Sequence, residues 1–324
     1  MNPPASLRKT IESCELPHRI FNDHFDALLE RLEDSMNGYA PRFECVLGPS
    51  RVGKTQLLNA LARNYPQTKN NGMRHVPLLV VPISASISPL LLPSNILTAL
   101  GVKLPMRGIT SGVMFQRMVD QLRLAKTQVI LADEASHLVE PSARLPPRAA
   151  GDFFKLLMDI LGITVVLFGV PRLEKLFASN EQLRLRTSAR RVFRPYDFNH
   201  PEDQLEFASC VRTFLHMFEK AGWPCELPFD ALVRHCYLKS GGLIGVLTHL
   251  MLELAGQLSR VATRPIAFAD FKNASDAIES AGHPGCLPFS SATVASVDLH
   301  LAHANVLEMN GMLPERRRAP ENQV

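Results

Sequence analysis

The sequence predicts an α/β fold, a parallel sheet flanked by helices and followed by a small all-helical region. Three observations carry that prediction. Strand-like and helix-like segments alternate as far as Phe198, and from Pro201 onward the pattern is helical alone. A glycine-containing segment, Gly48-Pro49-Ser50-Arg51-Val52-Gly53-Lys54-Thr55, stands between a short apolar run and a good helix-forming run. A second apolar run, Val129-Ile130-Leu131-Ala132, ends in the paired carboxylates Asp133-Glu134. Strands covered on both faces read as unbroken apolar runs, as central strands of a parallel sheet do.

Taken in order, residues 1–37 read as a polar helical lead-in, with apolar positions at helical spacing across residues 23–32. Gly38-Tyr39-Ala40-Pro41 breaks that helix before a first strand over residues 43–47. A helix over 54–62 and a second strand over 76–83 follow. The proline-rich stretch 89–93 reads as irregular, 95–100 as a short helix, 103–112 as a loop and 113–125 as a helix. After the 129–134 strand come a loop at 142–147, a helix over 152–161, a strand over 163–168 and a short strand over 191–193. Helices are expected over 202–221, 229–240, 243–261 and 269–280. The organisation expected is a lead-in (1–37), an α/β core (38–200), a helical lid (201–281) and a flexible tail (282–324) containing the basic run Arg316-Arg317-Arg318. That run is read as a solvated tail or a docking tail for DNA or a partner. No internal repeat is evident.

Composition sets the outer bounds. A chain of 324 residues can bury a sizeable core, and 46% hydrophobic with 20% charged residues is ordinary for a soluble globular protein. No apolar run approaches the roughly 18 residues of a membrane span, and the N-terminus lacks the apolar core of a secretion signal. The six cysteines show no C-x-x-C pair. They therefore read as reduced thiols in a cytoplasmic protein, against a zinc site or a disulfide framework. A net charge of +4 permits nucleic-acid binding through local patches without demanding it.

The segment 48–55 matches G-x-x-x-x-G-K-[ST], a phosphate-cradling loop. Gly48 and Gly53 let the backbone turn tightly, so that the loop they bound, Pro49-Ser50-Arg51-Val52, can bring amide N–H groups to face an anion. Lys54 can reach the β- and γ-phosphates of ATP, and the Thr55 hydroxyl can hold Mg²⁺. The helix that starts at Lys54, Thr55 and Gln56 directs its positive end to the same anion. Asp133 is the expected second Mg²⁺ ligand, and Glu134 the expected general base for an attacking water. Acids after a strand can instead serve only to start a helix, but the pair of motifs favours ATP hydrolysis.

The order of phosphate loop, Asp-Glu strand, further strand, arginine-rich segment and helical lid resembles the AAA+ superfamily. Within it, Ala132-Asp133-Glu134-Ala135-Ser136-His137-Leu138, Phe168-Gly169-Val170-Pro171, Asn180-Glu181-Gln182-Leu183-Arg184-Leu185-Arg186 and Gly241-Gly242-Leu243-Ile244-Gly245 look like the TnsC/TniB transposition ATPases. The resemblance covers roughly residues 15–275. It implies a regulator that assembles as a homo-oligomeric ring or helical filament on double-stranded DNA, holds ATP between neighbouring subunits, and recruits transposase and target-selection proteins. It implies a trans-acting arginine, Arg186 with Arg184 as the alternative, unless these arginines form an ordinary solvated face. It also places DNA-facing elements near Lys103, Arg107 and Arg117, which otherwise read as surface charge. Two departures stand out. Gly169 occupies a strand end where many AAA+ proteins carry Asn or Thr, and Ile244 a lid position where many carry arginine. Slow hydrolysis is the expectation. His137 reads as a structural residue outside the catalytic set. The competing readings are an AAA+ helicase loader or initiator, for which too short a stretch follows Ser280 to form a winged helix, and a nucleotide-switched scaffold without DNA binding.

Overall fold

A computed structural model describes residues 3–14, 16, 18–104, 108–188, 190–291 and 293–312. The chain divides into two compact units, Pro17–Arg194 and a second made of Met1–Leu16 with Pro195–Val324. The first helix, α1 (Pro3–Glu12), belongs to the second unit.

In the unit Pro17–Arg194, α2 (Arg19–Met36) precedes strand β1 (Phe43–Leu47) and helix α3 (Lys54–Arg63). An antiparallel hairpin of β2 (Thr68–Asn70) and β3 (Met73–His75) leads to β4 (Leu78–Pro82), α4 (Leu91–Ala99) and α5 (Ser111–Leu124). Strand β5 (Val129–Asp133), α6 (Pro147–Leu161), β6 (Thr164–Gly169), the short helices α7 (Glu174–Ala178) and α8 (Glu181–Arg186), and β7 (Arg191–Val192) complete it. Five strands form one sheet in the order β4-β5-β6-β1-β7, every pairing parallel. The register sets Leu47 opposite Gly169 and Pro82 opposite Asp133, so the carboxyl ends of the strands lie level along one edge.

Burial explains the strands. Every residue of β1 and β6 is buried, and the inward alternation Phe43, Cys45, Leu47 meets Ile130, Ala132, Val165 and Leu167 in one apolar cluster. Leu97 of α4, Met118 of α5 and Leu157 of α6 pack into that cluster. The opposite face of the sheet is covered by α2 and α3, which contribute the buried Leu28, Leu32, Leu57 and Leu61. Both faces are thus covered, which is why the strands read as nearly unbroken apolar runs, with Glu44 of β1 and Thr164 of β6 buried among them.

Three local expectations need correction. The proline-rich stretch is not irregular: α4 starts at Leu91 and holds Pro93 in its first turn, where a missing amide costs no intrahelical bond. Helix α6 likewise starts at Pro147, its N1 residue, rather than at Asp152, and ends at Gly162 with φ of 65°. The hairpin at residues 68–75 was not expected; its turn is Asn71-Gly72, with φ of 49° and 79°, a pairing that suits a two-residue hairpin turn.

The second unit is helical: α1, α9 (Pro201–Lys220), α10 (Phe229–Ser240), α11 (Ile244–Leu258), α12 (Phe268–Asp276) and α13 (Ser296–Met309). Here the sequence-based organisation is corrected twice. Helix α1 is no lead-in to the sheet; Leu7 and Ile11 are buried where it packs against α9 and α11. The segment after residue 282 is not wholly a loose tail, because α13 packs against α10 through the buried Leu299, Ala302 and Val306. Gly241 ends α10 with φ of 57°, and a β-carbon there would lie 2.4 Å from Val306 Cγ2. The Arg316-Arg317-Arg318 run lies outside the described residues. All six cysteines are free thiols. Among the described residues no single helix is long and apolar enough to cross a membrane.

Candidate active site

The segment after β1 is folded by its contacts with the strands beside it. Gly48 N donates to Gly169 O (3.1 Å) at the end of β6, and Phe193 N donates to Leu47 O (2.7 Å). A β-carbon at Gly48 would lie 2.4 Å from the Phe193 carbonyl oxygen, so only glycine fits there. Val52 is buried and pins the loop from within, while Arg51 takes a left-handed φ of 62°. Gly53, at φ of 116°, is the N-cap of α3 and closes the turn. Leu57 N donates to Gly53 O (3.0 Å), the first bond of the helix. The amides of Lys54, Thr55 and Gln56 therefore have no intrahelical acceptor and stand at the positive end of the helix.

The side chains converge on this helix start. Lys54 Nζ donates to Gly48 O (2.9 Å) and Pro49 O (2.7 Å), folding the ammonium back over its own loop. Burial lowers its pKa to about 8, against the opposing pull of Asp133 and Glu134. Thr55 Oγ1 donates to Asp133 Oδ2 (3.0 Å), joining the start of α3 to the end of β5. Asp133 Oδ1 accepts from Glu134 N (2.9 Å). Glu134 itself sits at a left-handed φ of 52°, and its side chain is 71% exposed. The hard oxygen pair of Thr55 and Asp133 fits Mg²⁺, and the Lys54 ammonium with the α3 amides fits a triphosphate.

Two neighbours were not part of the sequence-predicted set. His137 stands between carboxylates, with Nε2 3.2 Å from Glu134 Oε2 and Nδ1 2.8 Å from Glu140 Oε2. Glu140 is held in turn by Arg172. Ser136 Oγ accepts from Val170 N (2.7 Å) and so ties the segment after β5 to the end of β6. It also accounts for Gly169: a β-carbon at that position would lie 2.6 Å from Ser136 Oγ and 2.9 Å from Leu173 Cδ2. The space that a larger strand-end residue would need is taken by the Ser136 hydroxyl.

The structure does not bring the arginines to the loop. Arg186 Nη1 donates to Asp159 Oδ1 (2.5 Å) on α6, and Arg184 Nη2 lies 3.6 Å from Glu181 Oε1 on its own helix. Both are largely solvated, as a surface face would be. Ile244 opens α11 as a residue only 8% exposed. Of the basic residues singled out in the sequence, Lys103 and Arg117 come together: Arg117 Nη2 donates to Lys103 O (3.2 Å), and both side chains are exposed. Arg107 lies outside the described residues.

Known proteins share this architecture. An ORC1-type DNA replication protein 1 of Sulfurisphaera tokodaii is 28% identical over 202 residues, 59% of this chain and 47% of that protein. The chain thus spans about half the length of the curated relative it matches. Among solved structures, Cdc6p from Pyrobaculum aerophilum superposes with a TM-score of 0.62 at 16% identity, covering 94% of this chain and 85% of that one. The Aeropyrum pernix ORC1 protein, solved in complex with DNA, gives 0.60 at 18% identity over 83% and 69% of the two chains. The Aeropyrum pernix ORC2 protein, solved with ADPNP and ADP, gives 0.60 at 13% over 82% and 71%. These likenesses establish the fold, that of the ORC and Cdc6 AAA+ ATPases. A family model described as Bacterial TniB protein matches residues 11–196, more than half of the chain. The chain belongs to that bacterial TniB family of AAA+ ATPases.

Proposed function

We propose that this TniB-family chain is an ATP-dependent regulator of DNA transposition. It oligomerises on double-stranded DNA, hydrolyses ATP slowly, and recruits or activates a transposase at the selected target. The observation that carries the reading is a site complete in one half only. Lys54, Thr55, Asp133 and Glu134 gather at the strand ends, while Arg186 points its charge at the surface of α6. Leu185, beside that arginine, is 76% exposed, and Leu156 and Ile160 of α6 are also exposed. An arginine set among uncovered apolar side chains suits a face that a second copy covers.

In this reading Lys54 moves from the Gly48 and Pro49 carbonyls to the β- and γ-phosphates of ATP, and the α3 amides hold the same anion. Thr55 and Asp133 would hold Mg²⁺, which supplies charge neutralisation to the phosphates. Glu134, exposed at the turn after β5, takes a proton from the attacking water. Arg186 of the neighbouring subunit meets the charge that develops on the transferred phosphoryl group. Lys103, Arg107 and Arg117 contact DNA phosphates with little sequence preference.

A gel-shift on duplex DNA, with and without a non-hydrolysable ATP analogue, tests this function, and electron microscopy of the same mixture reads the assembly. ATP-dependent binding and a ring or filament are expected. The likeness to ORC1-type proteins supports a second reading, an initiator-like or loader-like ATPase, which ATP-independent DNA binding would favour. An absence of DNA binding would point instead to a nucleotide-switched scaffold.

A further inference from the structure

We propose that Asp159 is a positioning residue that holds Arg186 within its own subunit, so that self-assembly must exchange one acceptor for another. The inference rests on the reading of Arg186 as a trans-acting arginine.

Helix α8 is short and buries Leu183 alone. It is tied to α6 by three polar rungs: Asn180 to Asp152 (2.9 Å), Gln182 to Lys155, and Arg186 to Asp159 (2.5 Å). Positions 152, 155 and 159 recur at helical spacing and share one face of α6. The first two rungs already locate α8. Asn180 donates a further bond to Arg148 O (3.3 Å), and its Oδ1 caps the helix by accepting from Leu183 N (3.0 Å). The third rung is therefore dispensable to the placement of the helix, and what it fixes is the guanidinium.

The rung is also exchangeable. The two side chains are 42% and 44% exposed, so water reaches both partners. Ion pairs of this kind contribute little to stability because solvent screens them. A triphosphate, carrying several charges and a fixed array of oxygens, is a stronger acceptor for the same donors. The pair consequently holds Arg186 while the subunit is alone and yields it when a neighbour presents nucleotide. Arg184 lacks this arrangement: its partner Glu181 lies on the same helix and at 3.6 Å. Removing the Asp159 carboxylate deletes the competing acceptor, and assembly then needs less protein.

The test uses the full chain with ATP and measures turnover per subunit against protein concentration, with sedimentation in a non-hydrolysable ATP analogue as the second readout. Asp159→Asn is expected to lower the midpoint concentration of both curves by about fivefold, the order an exposed ion pair allows. Asp159→Glu restores the wild-type midpoint, and in an Arg186→Ala background Asp159→Asn shifts nothing. A thermal melt unchanged by Asp159→Asn separates this from damage to the helix, and Asp159→Ser supplies a second probe if the first variant folds poorly. An Asp159→Asn midpoint equal to or above the wild type, with Arg186→Ala inactive, overturns the proposal. Arg186→Ala that assembles and turns over like the wild type overturns the reading beneath it instead.

Discussion

The loop after β1 and the helix α8 belong to one compact unit, yet the charged side chains they carry, Lys54 and Arg186, are held by different means. The loop is fixed by backbone bonds and close packing. Gly48 is pressed against the Phe193 carbonyl, Val52 is buried, and Lys54 bonds two carbonyls of its own loop. Helix α8 is seated by the buried Leu183 and its buried cap Asn180, but its last arginine lies at the surface, gripped by a carboxylate that water can replace. In the proposed function, the groups that meet a phosphate in one geometry are the ones anchored to the sheet. The arginine proposed to serve a different subunit is left on a contact that can be exchanged. The difference is what the proposal predicts for a site shared between subunits.

The largest expected effect on binding breaks the anchored half. Lys54→Ala removes the ammonium that the loop is shaped around, and ATP affinity should fall by at least about 100-fold, some 3 kcal/mol. Arg186→Ala should leave the affinity of the isolated subunit within about twofold, since each tenfold is about 1.4 kcal/mol and no phosphate contact is lost in cis. Titration with a fluorescent ATP analogue at low protein concentration reads both. Equal losses in the two variants would erase the distinction between anchored and exchangeable halves.

Of comparable size, but read in turnover rather than in affinity, is the loss of chemistry without loss of binding. Glu134→Gln keeps the size and hydrogen-bonding reach of the side chain but removes its basicity. Turnover should drop by roughly 10²–10⁴-fold, the range for removing a general base, while ATP-dependent DNA coating persists and is trapped. Phosphate release and gel-shift on the same sample make the measurement. A variant that hydrolyses ATP at the wild-type rate would remove Glu134 from its proposed role.

A third expectation follows from Lys54, whose pKa in the folded chain lies at about 8 rather than 10.5. The sign is fixed by the cause. Burial disfavours the charged form, so between about pH 8 and 10.5 the unfolded chain binds more protons than the folded one. Lys54 therefore costs stability below pH 8, and that cost fades as pH rises through this window. Binding runs the other way, because phosphates require the ammonium. Above pH 8, ATP binding should take up a proton and weaken by up to about tenfold per pH unit. Calorimetry in buffers of different ionisation enthalpy reads the uptake directly. Affinity that stays flat from pH 7 to 9.5 would mean the lysine is not the phosphate contact.

How much of this was legible in the sequence depends on the range of each contact. The strands β1, β5 and β6 announce themselves as apolar runs because both faces of the sheet are covered. The glycine pattern is legible because turn, lysine and helix start are neighbours along the chain. The hairpin carries a local turn signal too, in its Asn71-Gly72 pair, although its two strands are only three residues each. Helix α13 was hidden by the proline, serine and glycine stretch before it, although Leu299, Ala302 and Val306 repeat at helical spacing. Three features had no local signal at all: the packing of α1 onto α11, the Ser136 hydroxyl that fills the space at Gly169, and the Asp159 carboxylate that grips Arg186. Each joins residues far apart in the chain, and no periodicity encodes such a meeting.

The smallest expected effect concerns Arg184, and it sharpens the comparison on the exchangeable side. Its nearest carboxylate is Glu181, 3.6 Å away on the same short helix, and both side chains are more than half exposed. An exposed pair three residues apart contributes about 0.2–0.5 kcal/mol, so Arg184→Ala should change the melting temperature by only a degree or two. Turnover and assembly should also stay within about twofold of the wild type, since each tenfold in rate corresponds to about 1.4 kcal/mol. The two arginines sit two positions apart, and consecutive positions of a helix turn by about 100°, so they cannot both face the same partner. If Arg184→Ala abolishes turnover while Arg186→Ala does not, the trans-acting charge leaves α8 from the other side. The ion pair with Asp159 would then be part of the surface and no part of the switch.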